Sequence, residues 1–251
     1  MSRLDALLEL LLSPRSFFAD RDIDHHFGRA FAAVLVVAVV SSAAFLTMGW
    51  LFAANVDATY ERTVAEPWDE ESCEQYADMT NETNLSGTPE NCALSEPKTA
   101  TVHASDVVWD AFLGRVPLVF VATIVGWLLI GVGLHVASAV VEGEGSFGRT
   151  LVVTGYGMVP SLVQTVFGVV AFWLAIQSIE FGGDPERLAR QVERLATGGL
   201  GPLSVVGAVV GAGWQGYVWT GGLQEARDLP RGGAAFAAGV VATLLLLSSL
   251  L

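Results

Sequence analysis

The chain has 251 residues, 52% of them hydrophobic and only 16% charged, with a net charge of −13 and a mean hydropathy of +0.51. A soluble domain spreads roughly 25% charged residues along its length. Here no Asp, Glu, Lys or Arg falls in Ala30–Ala54, Val116–Val141, Thr150–Ile179, Leu195–Gln224 or Gly232–Leu251, and about 20 apolar residues suffice to cross the bilayer hydrocarbon. A water-soluble fold is excluded, because uncharged helices of this length offer no polar face to solvent. The expected class is an all-α polytopic membrane bundle with five transmembrane helices and one large polar outer loop.

Residues 1–29 read as a cytoplasmic N-terminal segment. Leu4, Leu7, Leu8, Leu11 and Leu12 recur at helical spacing against Arg3, Asp5 and Glu9, a pattern that suits a short amphipathic helix lying on the membrane or packing on the bundle. Pro14 closes that helix, and Phe17 and Phe18 can enter the headgroup zone with Arg15 and Arg21 beside them. The first span covers 30–54. A mixed-charge stretch precedes it and its apolar core is long, so it is expected to persist as a span rather than be removed as a signal peptide.

Residues 55–112 form an acidic loop that carries 13 acidic side chains against Arg62 and Lys98. Its few large apolar residues cannot build much of a core. Cys73 and Cys92 are the only cysteines and share this loop, which suggests a disulfide in an oxidising exterior; two free thiols or a weak metal pair are the alternatives. Asn81 and Asn84 open two consecutive glycosylation sequons between them, a triplet that also recurs by chance. No segment of the chain alternates as a strand does.

The second span covers 113–141 and leads to a turn at 142–149. There GEGSFGRT has the glycine spacing of a phosphate loop. Such a loop must follow a strand and supply a lysine to the phosphates; this one follows an apolar helix and supplies Arg149, so nucleotide binding is not expected. Gly143 and Gly145 allow positive φ, Ser146 can cap the next helix and Arg149 can reach headgroups. The third span, 150–179, is longer than a bilayer needs. Pro160 removes a backbone hydrogen bond and predicts a kink, and Gly155 and Gly157 permit close helix approach.

An outer connector at 180–198 places Leu188, Val192 and Leu195 opposite Arg187, Arg190, Glu193 and Arg194, as an amphipathic helix would. The fourth span at 199–221, a cytoplasmic loop at 222–232 and the fifth span at 233–251 complete the chain. With the N-terminus inside, inner segments hold seven basic residues and outer ones six in a longer total length, a slight bias toward that orientation. The C-terminus then lies outside the cell membrane. Outer segments hold 17 acidic residues against 6 basic ones; so acidic and lysine-poor a surface suits a protein from concentrated salt.

The motif GEGSFGRTLVVTGYGMVP, with LLSPRSFF upstream and five spans, resembles the Yip1-domain membrane proteins of archaea and bacteria. Pro14, Phe17 and Phe18, then Gly143, Gly145, Ser146 and Phe147, then Gly155, Tyr156 and Pro160 are the matching positions. The resemblance implies an integral membrane protein. In eukaryotic relatives it goes with early secretory membranes and prenylated Rab-type GTPases, machinery that prokaryotes lack. The long cysteine-bearing loop departs from the compact family pattern.

Catalytic or transport chemistry has few carriers. Within the uncharged stretches only His135, Tyr156 and Tyr217 are titratable, and a lone intramembrane histidine more often bonds a neighbouring helix than acts on a substrate. His25 and His26 beside Asp22 and Asp24 read as a solvated patch rather than a metal site. No Ser/His/Asp or His-Glu-x-x-His arrangement occurs, so an enzyme, a cofactor, a metal and a nucleic-acid partner are not expected. The expected partners are the lipid bilayer and other membrane proteins or further copies of the chain. The expected role is a membrane organiser or scaffold, with a small-solute or ion permease as the rival.

Overall fold

A computed structural model describes residues 3–83, 89–177, 190 and 202–250. Nine α-helices and two strands occur among them: α1 (Arg3–Leu12), α2 (Pro14–Ala19), α3 (Phe27–Ala53), β1 (Thr59–Ala65), α4 (Glu70–Thr83), β2 (Lys98–His103), α5 (Ala104–Val140), α6 (Phe147–Gly157), α7 (Ser161–Gln177), α8 (Pro202–Ala226) and α9 (Arg231–Leu250). The connector predicted at 180–198, apart from helical Arg190, and Asn84 lie outside the described residues.

Four helical stretches are long and apolar enough to cross a membrane: Phe27–Ala53, Ala104–Val140, Phe147–Gln177 and Arg231–Ser249. The protein is thus a multi-pass helical membrane protein. At 1.5 Å per residue α5 is about 55 Å long, nearly twice the hydrocarbon thickness, so it begins well before the position 113 expected from charge alone. Its first turns continue directly from β2 and carry Asp106 and Asp110. α8 has 25 residues but holds six glycines with Ser, Thr and Gln, and is less apolar than the other four.

The bundle closes as a ring in which α3 packs on α5, α5 on α9, α9 on α8, α8 on α7 and α7 on α3. α6 fills the ring's centre at one end, touching α3, α5 and α8. Small residues allow this, since Gly155 faces the backbone of Ala30 and Gly157 sits against the Trp219 indole. The end of the bundle that holds α1, α2, α6 and the turn at 142–149 is called the turn side. The opposite end, which holds 54–103, is the loop side.

Between α6 and α7 the helix is interrupted at Met158–Pro160. There Met158, Val159, Ser161 and Leu162 each donate to the carbonyl three residues back, a tight local winding that replaces the bonds proline breaks. The break swings α7 off the central axis, so only Ala171 and Ile176 of its 17 residues are buried, against seven in α6.

One expectation is overturned on the loop side. β1 and β2 pair antiparallel from Thr59↔His103 to Ala65↔Lys98, with an irregularity between Thr63 and Ala65, although no alternation marked them as strands. The cause is that neither strand has a fully buried residue: β1 is exposed at all but its last position, and β2 only half-buries Ala100 and Val102. A two-stranded ribbon that is mostly wet on both faces needs no strong alternation of apolar and polar residues. What holds the loop is tethering. Cys73 on α4 and Cys92 in a short 3-10 turn form a disulfide, the Trp68 amide donates to the Asn91 carbonyl, and the Asn91 amide donates to the Glu66 carbonyl at 3.0 Å.

Candidate functional site

The three motif segments seen in sequence, the first of them far from the other two in the chain, meet on the turn side. Pro14 ends α1 and occupies the first turn of α2, where a missing N–H costs nothing. The chain therefore bends without leaving the bundle, and Leu10, Phe17 and Phe18 are buried. The Phe17 ring lies 5.1 Å from Tyr156 and the Phe18 ring 6.0 Å, both edge-on, the geometry that aligns ring edges with ring faces. Arg21 covers the outside of this cluster. Its guanidinium stacks 3.9 Å from the Phe17 ring centre, donates to the Phe17 carbonyl at 2.7 Å and pairs with Glu9 at 3.0 Å.

α8 supplies the other wall. The Trp214 indole donates to the Leu11 carbonyl at 3.0 Å and the Tyr217 hydroxyl to the Leu12 carbonyl at 2.9 Å, so two of the carbonyls left open at the end of α1 find donors. Gly221 lets α2 come close: a Cβ there would fall 2.7 Å from the Arg15 amide nitrogen. Of the two settings the sequence allows for α1, its carboxyl end takes the packed one, while Leu7, Leu8 and Leu12 stay exposed.

The turn at 142–149 is clamped by a residue that sequence reasoning missed. Arg227, at the end of α8, is 3% exposed. Its Nε donates to Ser138 Oγ at 3.0 Å, one Nη to the Gly143 carbonyl at 2.6 Å and the other to the Gly145 carbonyl. In return the Glu144 amide donates to the Arg227 carbonyl at 2.9 Å. Burial pushes the Arg227 guanidinium below its ordinary pKa, yet its three donors spread the charge over fixed acceptors. Gly145 has φ +114, and a Cβ would lie 2.6 Å from the Ala226 carbonyl oxygen. Ser146 caps α6 by accepting from the Arg149 amide, and Arg149 itself donates to the Glu225 carbonyl at 3.1 Å. The available signal was an arginine, followed by Asp and Leu-Pro, between two long uncharged stretches.

Phe147 packs edge-on to His135 at 5.4 Å, and His135 Nδ1 lies 3.2 Å from Thr150 Oγ1. The histidine thus bonds the neighbouring helix. His25 pairs with Asp22 at 2.7 Å; among the described residues no group of His, Cys, Asp and Glu is arranged to hold a metal ion. Asn81 lies in the last turn of α4.

Pro160 shapes a second feature. Where α7 leaves the axis, a cleft of about 470 Å³ opens in the loop-side half of the ring. Ser41, Thr123, Ser161, Gln164, Thr165 and Ser204 line it from α3, α5, α7 and α8. Thr123, Ser161 and Thr165 return their hydroxyls to their own helix backbone. Gln164 is the largest uncharged hydrogen-bonding side chain in the lining, with its Oε1 close to Gly211 of α8.

The profile of the Yip1 domain matches residues 8–251 of this chain. The uncharacterized protein MJ0794 of Methanocaldococcus jannaschii is 39% identical over 56 residues, 22% of this chain and 40% of that relative. The chain thus matches less than half of the relative's length. No solved structure matches.

Proposed function

Because the chain belongs to the Yip1-domain family, we propose that it is a non-enzymatic membrane organiser, acting through protein or lipid partners on its turn-side face. One observation carries this reading: the motif aromatic side chains, and Arg227 beside the motif turn, are spent on fixing the shape of that face. Phe17, Phe18 and Tyr156 lock α1–α2 onto the bundle, and Arg227 locks the 142–149 turn. A face preorganised in this way can bind without ordering cost on each encounter. The test is photo-crosslinking from Leu8 and from Glu144 in native membranes. Recovery of one membrane partner from both positions is the expected result; no recurring partner from either would overturn the reading.

We read the topology as five spans in the cell membrane with the N-terminus in the cytoplasm and the C-terminus outside. α7 ends on the loop side and α9 starts on the turn side, where Leu229 packs on Gly143, which supports the reading that the chain crosses back between them. α8 is the helix that does so. Much of it is buried against neighbours, and a helix enclosed by protein need not match lipid in composition. The disulfide supports an exterior loop side. Membrane-impermeant reductant should open Cys73–Cys92 in intact cells; opening only after lysis would reverse the orientation. The acidic surface supports a high-salt setting, in which the melting temperature rises with added KCl rather than falling.

The cavity at the helix break favours a permease for a small uncharged solute as the second reading. Solute flux in proteoliposomes that is abolished by Gln164→Leu, together with no crosslinked partner, would replace the first reading with this one.

A further inference from the structure

On the turn side a cavity of about 490 Å³ opens between α2, α8 and α9. Arg15 and Arg231 stand in its wall with Ser13, Ser16, Thr220 and Gln224. Glu225 reaches the Nε of Arg15 at 3.3 Å, but one carboxylate against the two guanidiniums still leaves the pocket positive on a chain whose total is −13. Arg231 lies in the first turn of α9, where the helix dipole adds to the positive potential.

The pocket does not end at the membrane surface. A second cavity of about 370 Å³ runs along the outer face of α8 and α9, from Ala235 to Leu246 and from Thr220 to Val209. Thr220 and Ala235 line both. Eleven residues of helix make this groove about 16 Å long. The pair therefore has the form of a basic, hydroxyl-rich cup at the level of lipid headgroups that continues into an apolar channel at the level of acyl chains.

We propose that this composite site binds one anionic phospholipid, its phosphate against Arg15 and Arg231 and one acyl chain in the α8–α9 groove. A basic pocket between membrane helices offers an anionic headgroup both charge and hydrogen bonds. A free phosphate would use the cup alone and leave the groove without function. The inference deepens the reading of the chain as an organiser, since it names a lipid as one partner. The crosslinked protein partner can persist if the lipid site fails, and the reverse holds too.

The test uses the full chain in nanodiscs and by native mass spectrometry after extraction. Phosphatidylglycerol is expected to be retained over phosphatidylcholine. The double variant Arg15→Gln/Arg231→Gln should lose that preference by roughly 30-fold, the product of two headgroup contacts. Gly239→Leu places its side chain in the groove, where a Cβ meets nothing within 4 Å; it should release phosphatidylglycerol while Gly239→Ala, which adds only that Cβ, retains it, and α-helical content and melting temperature, measured for both, should stay unchanged. Equal retention of the two lipids, or phosphatidylglycerol binding indifferent to both variants, would overturn the proposal. So would inorganic phosphate that binds the cup and competes fully, with Gly239→Leu having no effect on either ligand.

Discussion

Removing the Arg227 side chain is the most informative single change. In Arg227→Ala the Gly143 and Gly145 carbonyls lose their donors, whereas Ser138 keeps its bond to the His135 carbonyl at 2.9 Å. Two orphaned carbonyls cost about 1–3 kcal/mol each. The arginine stem also leaves a gap among buried Ser138, Leu229 and Ala226. The sum is about 4 kcal/mol, or roughly 8–16 °C in melting temperature for a chain of this size. Arg227→Lys, a point charge without the three-way fork, should fall between. Melting is followed in detergent by loss of the monodisperse peak on size exclusion. A double-mutant cycle with Ser138→Ala should give a coupling of at least about 0.5 kcal/mol, as groups in direct contact do. If Arg227→Ala melts within about 2 °C of the parent, the clamp contributes nothing and the account of the turn is wrong.

Three further outcomes follow from the geometry. Gly145→Ala forces a Cβ onto the Ala226 carbonyl at positive φ and should destabilise by about 1–3 kcal/mol, whereas Gly148→Ala, with only Ser146 Oγ nearby at 3.8 Å, should be neutral or stabilising by melting. Replacing Cys73 and Cys92 with Ser should loosen the loop side by about 3 kcal/mol, read as faster proteolysis between residues 55 and 103 with an unchanged turn side. Lys98 donates to Glu90 and holds its carboxyl below the ordinary range. The pair therefore helps pin β2 at neutral pH and is lost as pH falls through that lowered value. Carboxyl-carbon NMR should show Glu90 titrating low, and Lys98→Met should return it to the ordinary range; no difference between the two would refute the pairing.

Crosslinking, retained lipid and flux measurements address the organiser, lipid-site and permease readings separately, so each can fail alone. The aromatic cluster and the Arg227 clamp are compatible with all three, because each requires a fixed turn-side face.

Uncharged length by itself determined that this chain lives in hydrocarbon, since an ionic group cannot sit in a lipid-facing helix without a large desolvation cost. Local chemistry likewise determined the break at Pro160 and the cap at Ser146, because both depend on residues within one turn. The tertiary structure alone decided the rest. That Phe17 meets Tyr156, that Arg227 donates to Gly143, and that a bare loop forms a ribbon all depend on segments far apart in the chain. Their partners carry no periodic mark, for contacts between distant helices follow from which small residues let two backbones approach, and that is fixed only when the whole ring closes.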